Sequence, residues 1–390
     1  MRNWLLPEYV EDVLPSEALR IEKMRRSILD LLLVHGYQYV IPPLLEYVES
    51  LLSGSGSDMN LRMFKVLDQL SGRMMGVRAD STPQTARIDA HLMNAKGVTR
   101  LCYANSVLHT VPCEITRTRE PFQIGAELYG HSGLESDLEI QRLMLRCLAV
   151  SGIDEIRLDL GHVTIFRSLI KDSDILPEFE VDLYNVLQTK DTAALRELLC
   201  SGLDRRLDKH VRDALMLLPE LYGGREILMH ARKMLPSHPE IESALSQLEA
   251  IEEELEAYVD TITFDLSDLR GYHYHTGMVF AAYAQGSANA IALGGRYDEI
   301  GKAFGRARPA TGFSMDLREL SRLISPDTCP RGILAPYKRN DKELEKIIEQ
   351  LRNEGHIVIT ELPGNEIEKD ALYYDRKLIL HNGVWEVVGI

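Results

Sequence analysis

No part of the chain strings together the roughly 18 apolar residues that a membrane-spanning helix needs, and its first thirty residues hold no apolar signal-peptide core. A cytoplasmic protein without a membrane partner is therefore expected. Cysteine is sparse as well. Five residues, Cys102, Cys113, Cys147, Cys200 and Cys329, are scattered with no CxxC and no histidine at metal-ligand spacing. That pattern gives neither a disulfide framework nor a zinc site, and reads as reduced thiols that are buried or inert. No metal and no cofactor are expected. Positive charge is also short: 44 Lys+Arg face 59 Asp+Glu, a net charge of −15. Phosphate backbones attract clustered Lys and Arg, so the deficit argues mildly against a nucleic-acid partner, although an acidic protein can still carry a local basic stripe. Internal repeats and low-complexity tracts are absent from the sequence.

The 390 residues, 45% of them hydrophobic, suffice for two or three domains with a full core. A helical pattern runs from Ser16 to His35, with Leu19, Ile21, Met24, Ile28, Leu31 and Leu32 as its apolar stripe and Gly36 as its stop. Tyr39 onward reads as a strand ending at Pro42-Pro43, since proline gives no ladder hydrogen bond. Short apolar runs follow at 63–68, 74–78, 101–107, 122–129, 156–160, 261–266, 278–283 and 311–315, separated by turn residues. They predict a largely antiparallel sheet, with a helix over 134–149 among them, and an α+β class.

Between about 163 and 258 the pattern is helix after helix: 178–187, 193–199, 207–218, 226–234 and 239–259. In the last, Ile241, Leu245, Leu248, Ile251, Leu255 and Tyr258 share one face, and Glu252-Glu253-Glu254 reads as a solvated face. The composition turns to a linker at 326–330. Beyond it, strands at 332–336 and 356–360, a helix at 341–353 and a closing hairpin at 378–388 are predicted, the Asn382-Gly383 pair being a strong two-residue turn signal. The domains so read are 1–325, with a helical insertion at about 163–258, and a small α/β domain at 331–390.

Four patches carry chemistry. In the stretch 100–130, Arg100-Leu101, Tyr103, Arg117, Arg119, Gln123, Gly125, Glu127 and Gly130 stand where the second signature motif of class II aminoacyl-tRNA synthetases, and of the histidyl enzymes in particular, has them. Gln123 and Glu127, four apart on one strand, point to the same face. Arg78-Ala-Asp-Ser-Thr resembles that family's Arg-Pro-Glu-Gly-Thr, Leu269-Arg-Gly-Tyr-His-Tyr-His resembles its Arg-Gly-Leu-Asp-Tyr-Tyr motif, and Leu293-Gly-Gly-Arg-Tyr-Asp agrees with it fully. Taken singly, each has a plainer explanation: surface strand residues, a strand bend, an ordinary salt bridge. His273 and His275, with no third ligand, do not make a metal site. Pro43 aligns with the proline of the family's first motif, a dimer interface, so self-association as a dimer is implied.

The resemblance implies a class II synthetase-like antiparallel sheet flanked by helices and a pocket for a free amino acid with an imidazole, L-histidine. The residues it assigns to that ligand are Asp80, Thr82, Gln123, Glu127, Arg270, Tyr274, His275 and Tyr297. Carboxylates suit an ammonium through charge-assisted hydrogen bonds. The residues that would hold ATP are gone. The arginine of the second motif is His109 and its acidic neighbour is Val111. The third motif, usually Gly-Phe-Ala-Met-Gly-Leu-Glu-Arg-Leu, reads Gly312-Phe-Ser-Met-Asp-Leu-Arg-Glu-Leu, placing Asp316 and Glu319 where glycine and arginine belong. Arg318 is adjacent, but one residue along a helix turns a side chain by about 100°. Losing one preorganised donor costs about 10²–10³ in rate, and a carboxylate beside a triphosphate adds repulsion.

A histidyl-synthetase body with this split, and a tail short for an anticodon-binding domain, resembles the regulatory subunits of short-form ATP phosphoribosyltransferase, the first enzyme of histidine biosynthesis. That resemblance implies a chain with no catalysis of its own and no catalytic residues. It implies a separate catalytic subunit as partner, activated by this chain, and feedback inhibition with L-histidine as effector. A divergent histidyl-tRNA synthetase, a related ATP-dependent ligase and a scaffold with an empty pocket are the alternatives.

Overall fold

The structure, a computed structural model, describes residues 5–52, 57–112, 118–171, 173, 175–200, 207–272, 274–324, 331–364 and 374–390. Cys113, Arg117, His273, Cys329 and the 326–330 linker lie outside the described residues. By their contacts the residues divide into two compact units, Met1–Ile324 and Ser325–Ile390.

Side-chain alternation sets the frame of the first unit. In the Phe122–Tyr129 strand, Ile124, Ala126 and Leu128 are buried in the core, which leaves Gln123, Gly125 and Glu127 on the other face. The neighbouring Thr99–Ser106 strand follows suit, pairing Cys102 with Ala126 and Tyr103 with Gly125. Both belong to a nine-stranded sheet in the spatial order Gln38–Tyr39, Thr99–Ser106, Phe122–Tyr129, Ala310–Asp316, Ala292–Arg296, Met278–Ala284, Ile156–His162, Thr261–Asp265 and Tyr222–Gly223. The run from Thr99–Ser106 to Ile156–His162 is antiparallel throughout, and the pairs Gln38–Tyr39 with Thr99–Ser106 and Ile156–His162 with Thr261–Asp265 are parallel. The apolar face packs against the helices Pro15–Val34, Leu134–Val150 and Pro239–Leu255.

The helical insertion comprises Val163–Ile170, Pro177–Gln188, Thr192–Cys200, Lys209–Leu217, Glu226–Met234 and Pro239–Leu255. Proline opens three of this unit's helices, at Pro15, Pro177 and Pro239, where the missing N–H costs nothing. Tyr222–Gly223 returns from the insertion to edge the main sheet.

Several expectations need correction. The strand expected to run to Pro43 ends at Tyr39, although Val40 N–H still donates to Cys102 O. The chain then resumes as Leu45–Tyr47 in a separate three-stranded sheet with Lys65–Leu67 and Met74–Val77. In the first helix Leu19 is exposed and Leu29 is buried in its stead. The last insertion helix ends at Leu255, leaving Tyr258 exposed.

The second unit is a four-stranded sheet ordered Val358–Thr360, Gly332–Ala335, Tyr374–His381 and Val384–Gly389, with the helix Lys342–Asn353 on one face. Ile333, Ala335, Leu344, Ile348, Val358, Leu378 and Trp385 form its core. Asp341 caps the helix, accepting from Leu344 N–H at 3.0 Å. The Asn382-Gly383 turn has φ of 50° and 83°, as a type I′ hairpin requires.

Candidate functional site

Directly paired residues of an antiparallel sheet share a face, so the register locates the site. Glu127 pairs with Gly312, Gly312 with Gly295, Gly295 with Val279 and Val279 with Gly161. This row forms a floor nearly without side chains, and the glycines are needed there. A Cβ on Gly312 would lie 1.6 Å from Glu127 Oε2, one on Gly295 2.9 Å from His275 Nε2, and one on Gly161 3.1 Å from Asp268 Cβ. Asp268 and His275 thus lie over the floor. One row away, Gly125 leaves room for Tyr103, whose hydroxyl would be 2.6 Å from a Cβ there.

Glu127 is buried at the end of this floor. Its Oε1 accepts from Thr82 Oγ1 and from the Tyr103 hydroxyl, each at 3.0 Å, and its Oε2 accepts from the Tyr297 hydroxyl. Burial pushes its carboxyl up to about 8, the Tyr297 hydrogen bond opposing and the nearby charge of Asp80 adding to the rise. Burial also holds Tyr103 and Tyr297 far above the ordinary phenol value, so both stay hydroxyl donors. Asp80 is tied in beside them. Its Oδ1 accepts from Gln123 Nε2 at 2.8 Å and from Thr82 N–H at 3.0 Å, while Gln123 Oε1 accepts from Ser81 N–H at 2.9 Å.

Tyr274 and His275 close one side, their rings 4.2 Å apart and 6.1 and 6.5 Å from that of Tyr297. His275 Nδ1–H donates to Arg270 O at 2.8 Å, and burial lowers its imidazole to about 4, so the ring is neutral with Nε2 bare over the floor. Of the eight residues named from the sequence, Asp80, Thr82, Gln123, Glu127 and Tyr297 are brought into one hydrogen-bonded group, with Tyr274 and His275 against it. Arg270 stands apart from that group. Its guanidinium is taken up by Asp268, and Nη1 donates to the Tyr283 hydroxyl at 3.3 Å. Tyr103 was not among the residues named, nor were Gly125 and Gly312 as makers of space. The signal for Tyr103 was its position in the second motif, but its reach depends on the cross-strand register.

The other half of the site is different in kind. His109 is buried, and its Nε2–H donates to Ala79 O at 2.8 Å. Asp316 lies opposite Gln123 in the register and accepts from the N–H groups of Phe122 and Arg318, both at 3.0 Å. Burial raises its carboxyl to about 6, against those two hydrogen bonds. Arg318 pairs with Glu120 at 3.2 Å and Glu319 with Arg322 at 2.6 Å. Arg119 donates from Nε to His109 O at 3.1 Å and lies over the Phe64 ring. Among the described residues, no group of three or more His, Cys, Asp or Glu is placed to hold a metal ion, and no helix is long and apolar enough to cross a membrane.

This antiparallel sheet, with Thr99–Ser106 paired to Phe122–Tyr129 and the neighbouring Ala310–Asp316 strand running into the helix Leu317–Leu323, defines the class II aminoacyl-tRNA synthetase-like fold. The histidyl-tRNA synthetase family model matches residues 9–320, and a model described as the ATP phosphoribosyltransferase subunit HisZ C-terminal domain matches residues 330–388. The ATP phosphoribosyltransferase regulatory subunit of Nitrosomonas eutropha is 71% identical over 390 residues, all of both chains. That of Nitrosomonas europaea is 67% identical over 387 residues, 99% of each chain. A solved structure titled an ATP phosphoribosyltransferase regulatory subunit/histidyl-tRNA synthetase from Bacillus halodurans superposes with a TM-score of 0.81 at 26% identity, covering 95% of both chains. The chain belongs to the ATP phosphoribosyltransferase regulatory subunits, a family built on the histidyl-tRNA synthetase fold.

Proposed function

We propose that this regulatory subunit catalyses no reaction itself, assembles with a separate catalytic phosphoribosyltransferase chain, activates it, and lowers its activity when L-histidine occupies the pocket around Glu127. In this reading Asp80 takes the α-ammonium with Gln123 beside it. Glu127, Tyr274, His275 and Tyr297 frame the imidazole, Thr82 steadies Glu127, and Arg270 faces the carboxylate. The observation that carries the reading is the split of the site. Its amino-acid half keeps an acid-and-hydroxyl network tied by direct hydrogen bonds, while its nucleotide half presents Asp316 and Glu319 where a triphosphate would need cations. An effector must also favour one state of the complex over another, because equal affinity for both shifts nothing.

Calorimetry on the purified chain tests this directly: heat with L-histidine, none with ATP, and no ATP-dependent pyrophosphate exchange. Robust exchange would replace the proposal with a divergent histidyl-tRNA synthetase, and absence of histidine binding would leave a scaffold. Activity of the co-purified complex with and without histidine then tests the feedback role. Self-association is proposed through the segment around Pro43, where Ile41, Leu44 and Leu45 are exposed. Light scattering on an Ile41→Asp, Leu44→Asp variant should report a monomer where the parent chain reports a dimer.

A further inference from the structure

Arg270 meets the pocket with its charge already engaged. Asp268 holds it side-on: Nε donates to Oδ1 at 2.9 Å and to Oδ2 at 3.0 Å, and Nη2 donates to Oδ2. The arrangement is fixed twice more. Arg270 N–H donates to Asp268 Oδ1 at 3.0 Å, and Asp268 Cβ sits against the bare backbone of Gly161. Burial alone would raise the Asp268 carboxyl, but the Arg270 guanidinium outweighs it and holds the group below its ordinary value, so Asp268 stays ionised. With Nη1 also donating to the Tyr283 hydroxyl, only the outer edge of the guanidinium remains for a ligand. Its backbone carbonyl orients His275 over Gly295, and in the proposed reading its guanidinium faces the ligand's carboxylate.

A free amino acid brings a carboxylate as well as an ammonium. Asp80 and Gln123 suit the ammonium. A carboxylate arriving at the outer edge of Arg270 finds a cation already neutralised at contact distance, with a second, immobile carboxylate behind it. Like charges held this close in a partly buried site repel strongly.

We propose that Asp268 is an affinity- and specificity-determining residue of the pocket: it competes with the carboxylate of the bound amino acid for Arg270. This rests on the reading of the pocket as a histidine site. Asp268 weakens the hold on amino acids while leaving the hold on amines without a carboxylate unchanged. Weakened binding suits an effector site, which must empty when the effector's concentration falls.

Calorimetry on the full-length chain with L-histidine and with L-histidinol, which lacks the carboxylate, tests the inference. Asp268→Asn keeps an acceptor for Arg270 and removes the charge. It should bind histidine at least about tenfold more tightly, with histidinol unchanged within about threefold. Arg270→Gln should erase the difference between the two ligands. Asp268→Ser, carried in parallel, serves the same purpose if the asparagine variant does not fold, melting curves deciding which variant is read. Histidine bound equally or more weakly by the folded variant overturns the inference, as does an equal gain for both ligands. If the parent chain binds neither ligand, the histidine site itself fails, a result distinct from a parent that binds histidine and an Asp268 variant that does not gain.

Discussion

The two halves of the site differ in how their polar atoms are satisfied. Around Glu127, three hydroxyls converge on one carboxyl group and a side-chain amide bridges Asp80 to the backbone of Ser81. Around Asp316, partners are missing: Asn105 Nδ2, His109 Nδ1, Asp316 Oδ2 and Arg318 Nη1 are all buried without one. Buried polar groups are paired in the great majority of cases. Ser81 Oγ and the Tyr129 hydroxyl, beside the Glu127 group, are also buried without a partner, so the contrast lies in the ionisable groups: both oxygens of Glu127 accept hydrogen bonds, whereas Asp316 Oδ2 and Arg318 Nη1 have no partner.

The comparison can be broken most decisively at Gly312. A Gly312→Ala Cβ would fall on Glu127 Oε2, with Ala126 O also only 2.8 Å away. Histidine affinity should drop by about 100-fold or more in calorimetry, and denaturant unfolding should show about 1–3 kcal/mol of lost stability. Next comes Asp80→Asn, which removes the charge from the proposed ammonium partner and should weaken histidine binding by about 10- to 100-fold, as hydrogen bonds to charged groups are worth about 1.5–3 kcal/mol. Unchanged affinity would move the ammonium elsewhere.

A smaller effect sharpens the electrostatics. Glu127 holds its proton in the folded chain up to about pH 8, against an ordinary value of 4.5. Between these values the folded state binds more protons than the unfolded one, so this group's contribution to stability falls as pH rises from about 4.5 to about 8 and is level beyond. Glu127→Gln should remove that slope from chemical unfolding curves, most visibly between about pH 7 and 8, above the range where Asp316, raised to about 6, and His275, lowered to about 4, contribute in opposite directions. The smallest effect is expected in the nucleotide half. Glu319→Ala breaks a surface pair with Arg322 and should leave histidine affinity within about twofold, since such pairs contribute about 0–1 kcal/mol. A tenfold change would mean that the two halves act as one site.

Much of this frame was legible beforehand, because alternation and helical periodicity report which face is buried. The strands Phe122–Tyr129 and Met278–Ala284 and the insertion helices fall close to where the pattern predicted them. Ala292–Arg296 was not foreseen as a strand, since Gly294-Gly295 lowers strand propensity and reads as a bend. Its place is set by neighbours: a Cβ on Gly294 would meet the Phe280 ring at 2.3 Å. The π-helical turn Ile88–Met93 leaves no periodic signature either. In the site, the family resemblance pointed to Asp80, Gln123, Glu127 and Tyr297, whose side chains the structure gathers into one hydrogen-bonded group. The capture of Arg270 by Asp268 was not legible, because two acidic and basic residues two apart give no indication of whether they face each other or a ligand.

The row of Gly312, Gly295 and Gly161 also limits how this pocket can evolve. A side chain can shrink or grow, but a glycine can only gain atoms, and here each gain intrudes on Glu127, His275 or Asp268. Substitution from beneath can therefore only close the chamber. Any retuning toward a larger or differently shaped ligand has to come through its walls, from Asp268, Tyr274 and His275 or from the Thr82 side.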